Sequence, residues 1–356
     1  MKVLTIIGAR PQFVKAAVLS RVFASMSGVE ELLVHTGQHF DDKMSQIFFD
    51  EMEIPTPHYN LEINSLGHGA MTGRMLEGIE SLIIKEKPNW VLVYGDTNST
   101  LAGALAAKKI HVKVAHVEAG LRSFNMQMPE EINRILTDRI SDVLYAPTQT
   151  AVDNLKKEGF DNFPSKIVLS GDVMQDAALF YAQKAEEKST LDKNLLKGDF
   201  VLSTIHRQEN TDNPENLKAI VHALNKIHES RRVVLPIHPR TRKIIEQQGL
   251  VLKVDVLEPV GYFDMIQLLK NCSLVMTDSG GLQKEAFFFK KHCVTLREQT
   301  EWVELVQGGF NILSGANEQV IVDAFTKMCS AKSNFDVNLY GNGNAGKTIA
   351  EHLLKN

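Results

Sequence analysis

The sequence predicts an α/β protein built from two doubly wound, parallel-sheet domains that face each other across a cleft. Three observations predict it. Short apolar runs rich in β-branched residues alternate with helical stretches, the pattern of parallel strands buried on both faces. The series runs twice, with a polar interval between. And 356 residues suit two domains at roughly 100–200 residues each.

The first series comprises Val3–Ile7, Glu31–His35, Trp90–Tyr94, Val112–Val117, Val143–Ala146 and Lys166–Leu169. It ends near Gly171. A charge-rich stretch over 183–199 reads as a surface helix and loop. The second series comprises Phe200–Ile205, Val233–Ile237, Val254–Leu257, Leu274–Thr277 and His292–Leu296. These limits give a first domain over 1–172 and a second over 173–344.

Composition narrows the function classes. Hydrophobic residues make up 44% and charged residues 23%, enough for a packed core. A net charge of −4 gives no general attraction to nucleic acid or to anionic membranes, so neither is an expected partner. Cys272, Cys293 and Cys329 form no C-x-x-C, which argues against a disulfide framework or a zinc ribbon. The opening MKVLTIIGARP reads as a strand and turn rather than a signal peptide, and no run approaches the roughly 20 apolar residues of a membrane span. A cytoplasmic location is expected.

Ligands of open α/β sheets bind beyond the carboxyl ends of the strands, so those ends hold the candidate site. The first strand runs into Gly8-Ala9-Arg10-Pro11-Gln12, with Lys15 one turn on. A glycine turn at a helix start offers N–H groups to an anion, and Arg10 and Lys15 add charge. Asp96 follows the strand Trp90–Tyr94; either it or Thr97 suits a helix cap. Glu118 ends a buried strand, where an acid is costly unless paired or functional, and Arg122 is a candidate partner. Glu130 sits just inside a helix opened by Pro129, with Ile132, Ile135, Leu136 and Ile140 marking an apolar face and Arg134 spaced to pair with Glu130. Three carboxylates on one domain's strand and helix ends can divide acid and base work.

In the second half, His206 and His238 follow strands at equivalent places, each near an arginine. Ser279-Gly280-Gly281 after Leu274–Thr277 would leave amides uncovered for a pyrophosphate, and Glu285 one turn later suits ribose hydroxyls. The string 341–348 matches a P-loop pattern, but no buried strand precedes it and it reads as a loop before a terminal helix.

Taken in order, these motifs resemble the non-hydrolysing UDP-N-acetylglucosamine 2-epimerase family over nearly the whole chain. They include Gly8-x-Arg10-Pro11…Lys15, Gln38-His39, Gly95-Asp96-Thr97, His116 to Arg122, Pro129-Glu130-Glu131-x-Asn133-Arg134, His206-Arg207, Asp278 to Glu285, and Thr300-Glu301. The resemblance implies two Rossmann-like domains, as in GT-B proteins, with a terminal helix over about 345–356 returning to the first domain. It implies a UDP-sugar substrate, no metal or nicotinamide cofactor, and a homodimer. It implies anti elimination of UDP to a 2-acetamidoglucal and re-addition with C2 inverted, interconverting UDP-GlcNAc and UDP-ManNAc. Asp96, Glu118, Glu130 and His206 match the family's catalytic positions. Arg10, Lys15, Arg122, His238, Ser279, Gly280, Gly281 and Glu285 match substrate-binding positions, and Gln38 and Arg74 part of an allosteric site.

Departures from the family pattern at Gln12 and at Trp302 point to the branch acting on UDP-2,3-diacetamido-2,3-dideoxyglucuronate. A GT-B glycosyltransferase, a silent nucleotide-sugar-binding protein and a hydrolysing epimerase are the alternatives.

Overall fold

The computed structural model describes residues 1–38 and 55–356. The first sheet contains β1 (Lys2–Ile7), β2 (Glu30–His35), β3 (Tyr59–Asn60), β4 (Trp90–Tyr94), β5 (Lys113–Val117), β6 (Val143–Ala146) and β7 (Lys166–Leu169). Its strand order is β3-β2-β1-β4-β5-β6-β7, with every pairing parallel. The second contains β8 (Phe200–Thr204), β9 (Arg232–Pro236), β10 (Asp255–Leu257), β11 (Leu274–Thr277), β12 (His292–Thr295) and β13 (Asn311–Leu313). Its order is β10-β9-β8-β11-β12-β13, again all parallel. Both sheets are therefore doubly wound in the same sense, and the α/β class holds. The short edge strands β3 and β13 lack a readable apolar run.

Each sheet has its own core. In the first, Leu4, Ile6, Val34, Val91 and Val93 pack against Met75, Ile79 and Ile83 of the His68–Glu86 helix. They also pack against the alanines of the Asn98–Lys109 helix. That helix lies close to the sheet because Gly103 has no side chain: a Cβ there would sit 3.1 Å from both Ile6 and Val93. In the second, Val201, Val233, Leu235 and Met276 meet Leu217, Ile220 and Leu224 on the Pro214–His228 helix and Ile321 and Phe325 on the Glu318–Ser330 helix. Each such fully buried side chain contributes about 1.5–3 kcal/mol.

The chain divides into two compact units, Met1–Ala177 with Asn338–Asn356, and Ala178–Val337. The change of unit falls inside one continuous helix, Val173–Lys188. The returning segment begins earlier than residue 345 because Tyr340 is buried and its carbonyl accepts the Asp172 amide at 2.7 Å.

The returning helix, Ala345–Leu354, packs on the Arg10–Ser25 helix. Asp176 caps it from outside, accepting the amides of Ala345 at 3.2 Å and Gly346 at 2.9 Å. The P-loop-like string thus has its helix N-terminus filled by a carboxylate of its own chain. Burial pushes that carboxyl's pKa up, against the two amide hydrogen bonds.

Candidate active site

The strand order reverses direction between β1 and β4 in the first sheet and between β8 and β11 in the second. These switch points are where doubly wound sheets bind ligands. The first unit places there the turn after β1 and the Gly95–Thr97 turn after β4. The second places there Ile205–Arg207 and Asp278–Gly281.

The turn after β1 is closed, not open. Gln12 is buried, and its Oε1 accepts the amides of Gly8 at 2.8 Å and Ala9 at 3.0 Å. Its Nε2 donates to the Tyr94 carbonyl at 2.8 Å and to the hydroxyls of Thr97 and Thr100 at 3.0 Å each. Two amides expected to face an anion are therefore spent on a peg that joins the two turns. Gln12 is an interior residue and touches no ligand space. Arg10 opens the helix, with its side chain outside what is described.

Lys15, one turn into that helix, meets Glu118 at 2.6 Å, and both side chains are only 9% exposed. Gly95 adjoins the pair: a Cβ at this position would lie 3.4 Å from Lys15 Nζ and 3.5 Å from Glu118 Oε1. Glu118 itself has φ 70°, a conformation that non-glycine residues adopt mainly where the surroundings enforce it. Thr97 is the helix cap after β4, accepting the Thr100 amide, so Asp96 is released from that role. Asp96 instead ion-pairs with Arg134, and its carbonyl accepts Asn133 Nδ2 at 2.9 Å. Arg134 also bridges at 2.8 Å to buried Glu131, which accepts the amides of Ser123 and Phe124.

The Pro129–Ile140 helix corrects the periodicity reading. Its buried residues are Glu131, Asn133, Arg134, Thr137 and Asp138, whereas Ile132 and Leu136 are 40% and 46% exposed. The polar face is the inward one because it serves the strand ends. Arg134 accordingly pairs with Asp96 and Glu131 instead of Glu130, which is exposed in the first turn. Arg122 is also corrected. The expected Glu118–Arg122 pair does not form. Arg122 is buried, bonded to Asp138 at 2.7 Å and to both oxygens of Glu158 at 2.6 and 2.7 Å, with its charge reinforced by them despite burial. Its donors meet Leu121, Asp138 and Glu158.

Gln38 turns its Oε1 to Ser99, accepting from the amide at 3.1 Å and the hydroxyl at 2.7 Å. Arg74 is exposed on the His68–Glu86 helix. His39 lies outside the described residues.

In the second unit, Asp278 is wholly buried at the end of β11 and accepts from the amides of His206 (3.1 Å) and Arg207 (3.0 Å) and from Asn210 Nδ2 (3.1 Å). Its Oδ1 lies 3.0 Å from His206 Nδ1. Burial would raise its pKa, but His206 and the donors hold it below the usual aspartate range. Asp278 orients the half-exposed His206; sequence reading quoted it within a motif without giving it that part. Ser279 caps the Gly280–Phe288 helix through Leu282 at 3.4 Å. The first-turn amides of Gly280 and Gly281 have no intrahelical acceptor. Around Gly281 there is open space, a Cβ meeting nothing nearer than Ser279 Oγ at 4.0 Å, while a Cβ on Gly280 would strike Glu301. Glu285 accepts the hydroxyl of partly buried Tyr262 at 3.1 Å. Burial and then Glu285 push that phenol's pKa well up, keeping it a donor. Trp302 is buried beneath the Lys284 ammonium, 3.9 Å from its ring centre, so it too is interior.

A cavity of ≈ 160 Å³ at the ends of β8 and β9 is lined by His206, His238, Pro259, Val260 and Met265 among others. A larger one, ≈ 840 Å³, lies beside the ends of β12 and β13 and includes Glu209, Arg297 and Glu298. His238 Nδ1 caps its own helix, accepting the Arg240 amide at 3.2 Å. Among the described residues no group of three or more His, Cys, Asp or Glu side chains is placed to hold a metal ion. The first unit thus offers carboxylates in three different settings. The second offers an amide cradle, an oriented histidine and a carboxylate one helical turn beyond.

The family described as UDP-N-acetylglucosamine 2-epimerase matches residues 22–354. The chain is similar to UDP-2,3-diacetamido-2,3-dideoxy-D-glucuronate 2-epimerase of Pseudomonas aeruginosa, with 58% identity over 356 residues, 100% of each chain. It is similar to UDP-N-acetylglucosamine 2-epimerase of Methanocaldococcus jannaschii, with 43% identity over 365 residues, 99% of each. The solved structure of Methanocaldococcus jannaschii UDP-GlcNAc 2-epimerase in complex with UDP-GlcNAc and UDP matches with a TM-score of 0.92 at 43% identity, covering 100% of both chains.

Proposed function

Since the chain belongs to the UDP-N-acetylglucosamine 2-epimerase family and is an isomerase, we propose that it inverts C2 of a UDP-sugar by eliminating and re-adding UDP. The observation that carries this reading is the pair of held carboxylates, Asp96 on Arg134 and Glu118 on Lys15, with exposed Glu130 beside them in sequence terms on the helix that supplies Arg134.

The reaction needs this division. C2–H is not acidic, so a base must take its proton while the C1–O bond breaks and UDP leaves with the electron pair. The C1=C2 alkene that results is then protonated at C2 on the other face, and a UDP oxygen re-forms the bond to C1. Base and acid must stand on different sides of the sugar, which takes more than one carboxylate in more than one setting. The leaving diphosphate needs donors where its charge grows. Gly280, Gly281 and His206 supply them in this proposal, with Ser279 capping the cradle, Glu285 on the ribose and the ≈ 160 Å³ cavity by His238 taking the base. Lys15 and Arg10 serve the sugar and phosphate side. Gln38 and Arg74 remain proposed for a second UDP-sugar.

Two sugars compete, UDP-GlcNAc and the UDP-2,3-diacetamido-uronate. Higher identity to the Pseudomonas aeruginosa relative favours the uronate. Gln12 and Trp302 no longer bear on the choice through contact, since both are interior. The test is to incubate the protein with each sugar in D2O and follow proton NMR. Deuterium at C2 of a sugar still attached to UDP is expected; release of free sugar, or no C2 exchange with either, would sink the proposal.

The exposed Ile132 and Leu136, with Phe124 and Met126 also exposed, support a homodimer in which a second copy covers this apolar face. Leu136→Asp should convert the sedimenting species to monomer; a monomeric wild type would contradict it. Free Cys272, Cys293 and Cys329 fit a reducing cytoplasm, where a nucleotide-sugar product would serve polysaccharide biosynthesis.

A further inference from the structure

His116 lies on β5, two residues before Glu118, with no exposed surface. Its Nδ1 is 2.7 Å from Asp138 Oδ1 and its Nε2 is 2.7 Å from the Gly95 carbonyl. Asp138 comes from the inward face of the Pro129–Ile140 helix. Its other oxygen accepts the Gly120 amide at 3.1 Å and Arg122 Nη1 at 2.7 Å. Arg122 passes the chain on to Glu158.

Both partners of His116 are acceptors. Burial opposes an ionised Asp138, but His116 and Arg122 hold its pKa below the usual range. A peptide carbonyl accepts only, so the ring donates from Nε2 to Gly95. The peptides it reaches bracket the reacting carboxylates. Gly95 immediately precedes Asp96 and adjoins Lys15 and Glu118. Gly120, held by the same Asp138, follows Glu118 by two. Gly95, Glu118 and Gly120 all carry positive φ, at 63°, 70° and 79°. The two glycines adopt this region readily, but Glu118 keeps it only where surrounding bonds over-determine it.

We propose that His116 and Asp138 form a positioning pair for the epimerisation: His116 Nε2–H fixes the Gly95 peptide and with it Asp96, while Asp138 fixes the ring and the Gly120 peptide beyond Glu118. The kinetic side of this proposal rests on the epimerase reading; the hydrogen-bond pattern does not. The pair touches no substrate. It acts through two backbone turns.

Two variants separate positioning from simple stability. Asn at 116 can reach only the place of Nδ1, so His116→Asn keeps the Asp138 bond and loses Gly95. Gln reaches the place of Nε2, so His116→Gln keeps Gly95 and loses Asp138. A misplacement of order 1 Å costs about 10²-fold in rate. We expect kcat for C2 exchange to fall about 10²-fold in His116→Asn and clearly less in His116→Gln. KM, and the Kd for UDP measured by calorimetry, should stay near wild type in both. Urea midpoints report stability separately. Equal kcat losses in the two variants, or losses that follow the midpoints, would overturn the proposal.

Long-range proton–nitrogen spectra of the ¹⁵N-labelled wild type provide the second measurement. Nε2 of His116, which faces the Gly95 carbonyl, should carry the ring proton, and a bare Nε2 would overturn the proposal. A wild type that exchanges no C2 proton with either sugar is a different failure, of the epimerase reading, and takes the positioning role with it.

Discussion

Replacing Glu118 by Gln removes the counter-charge of a lysine that is nine-tenths buried. The Lys15–Glu118 contact is 2.6 Å, with 9% of each side chain exposed. Breaking a buried pair from one side costs roughly 3–5 kcal/mol, because the surviving charge is left desolvated. A glutamine still offers Lys15 a carbonyl oxygen, which places Glu118→Gln at the lower end, about 3 kcal/mol. Lys15→Met should also destabilise, by removing the ammonium 2.6 Å from Glu118. The double variant should be more stable than the sum of the two losses by about 2 kcal/mol, within the range of contacting pairs. Urea unfolding of the wild type and the three variants gives this coupling, provided the slopes agree. Exchange of the C2 proton is measured on the same samples. It should be lost in both Glu118→Gln variants even where stability returns. Additive losses would refute the ion pair. Recovery of exchange in the double variant would refute a chemical role for Glu118 and leave it a strut.

Asp138 and Asp278 both sit below the ordinary aspartate range. Their stabilisation is complete above about pH 3.9 and is lost as pH falls through their lower folded values. Urea midpoints should therefore fall below about pH 4, and Asp278→Asn should be weaker at neutral pH with a shallower acid limb; an unchanged limb would remove Asp278 from the account. Burial pushes the Cys272 and Cys293 thiols up to about 12, while Cys329 is exposed. A thiol reagent at pH 8 should label Cys329 in the folded protein and all three in denaturant. Tyr262→Phe removes one hydrogen bond to Glu285. It should raise KM for the UDP-sugar by about threefold to tenfold, the worth of about 0.5–1.5 kcal/mol, with kcat held.

Much of the fold was legible because strands buried on both faces leave apolar runs that nothing else explains. Trp90–Tyr94, Val143–Ala146, Lys166–Leu169 and Leu274–Thr277 fall on strands β4, β6, β7 and β11 with the same ends. Periodicity misled at the Pro129–Ile140 helix because it assumes an oily core behind every helix. Here the interior is a polar lattice of Glu131, Asn133, Arg134 and Asp138, and Ile132 and Leu136 of the apolar stripe face out. Local spacing misled at Arg122 and Arg134, whose partners Glu158 and Asp96 lie 36 and 38 residues away along the chain. Gln12 looked like a marker of the sugar because it departs from a motif. Its five contacts to the turns after β1 and β4 could not be read without the register that brings them together. Asp278 and Tyr262 act on neighbours from other elements, and no linear pattern ties Tyr262 to Glu285.

The first unit is written in two pieces, with the whole second unit between them. Asp172 and Tyr340 tie the outgoing and returning chain by one peptide hydrogen bond, and Asp176 binds the start of the helix that closes the unit. On a ribosome the order of synthesis is then opposite to the order of completion. The second unit has all its residues once Val337 is made, while the first, begun earlier, still waits for Asn338–Asn356. Until then the groove along the Arg10–Ser25 helix where Gly346 nests against Val18 has no occupant. Such a nascent chain leaves an apolar seam uncovered for the whole interval.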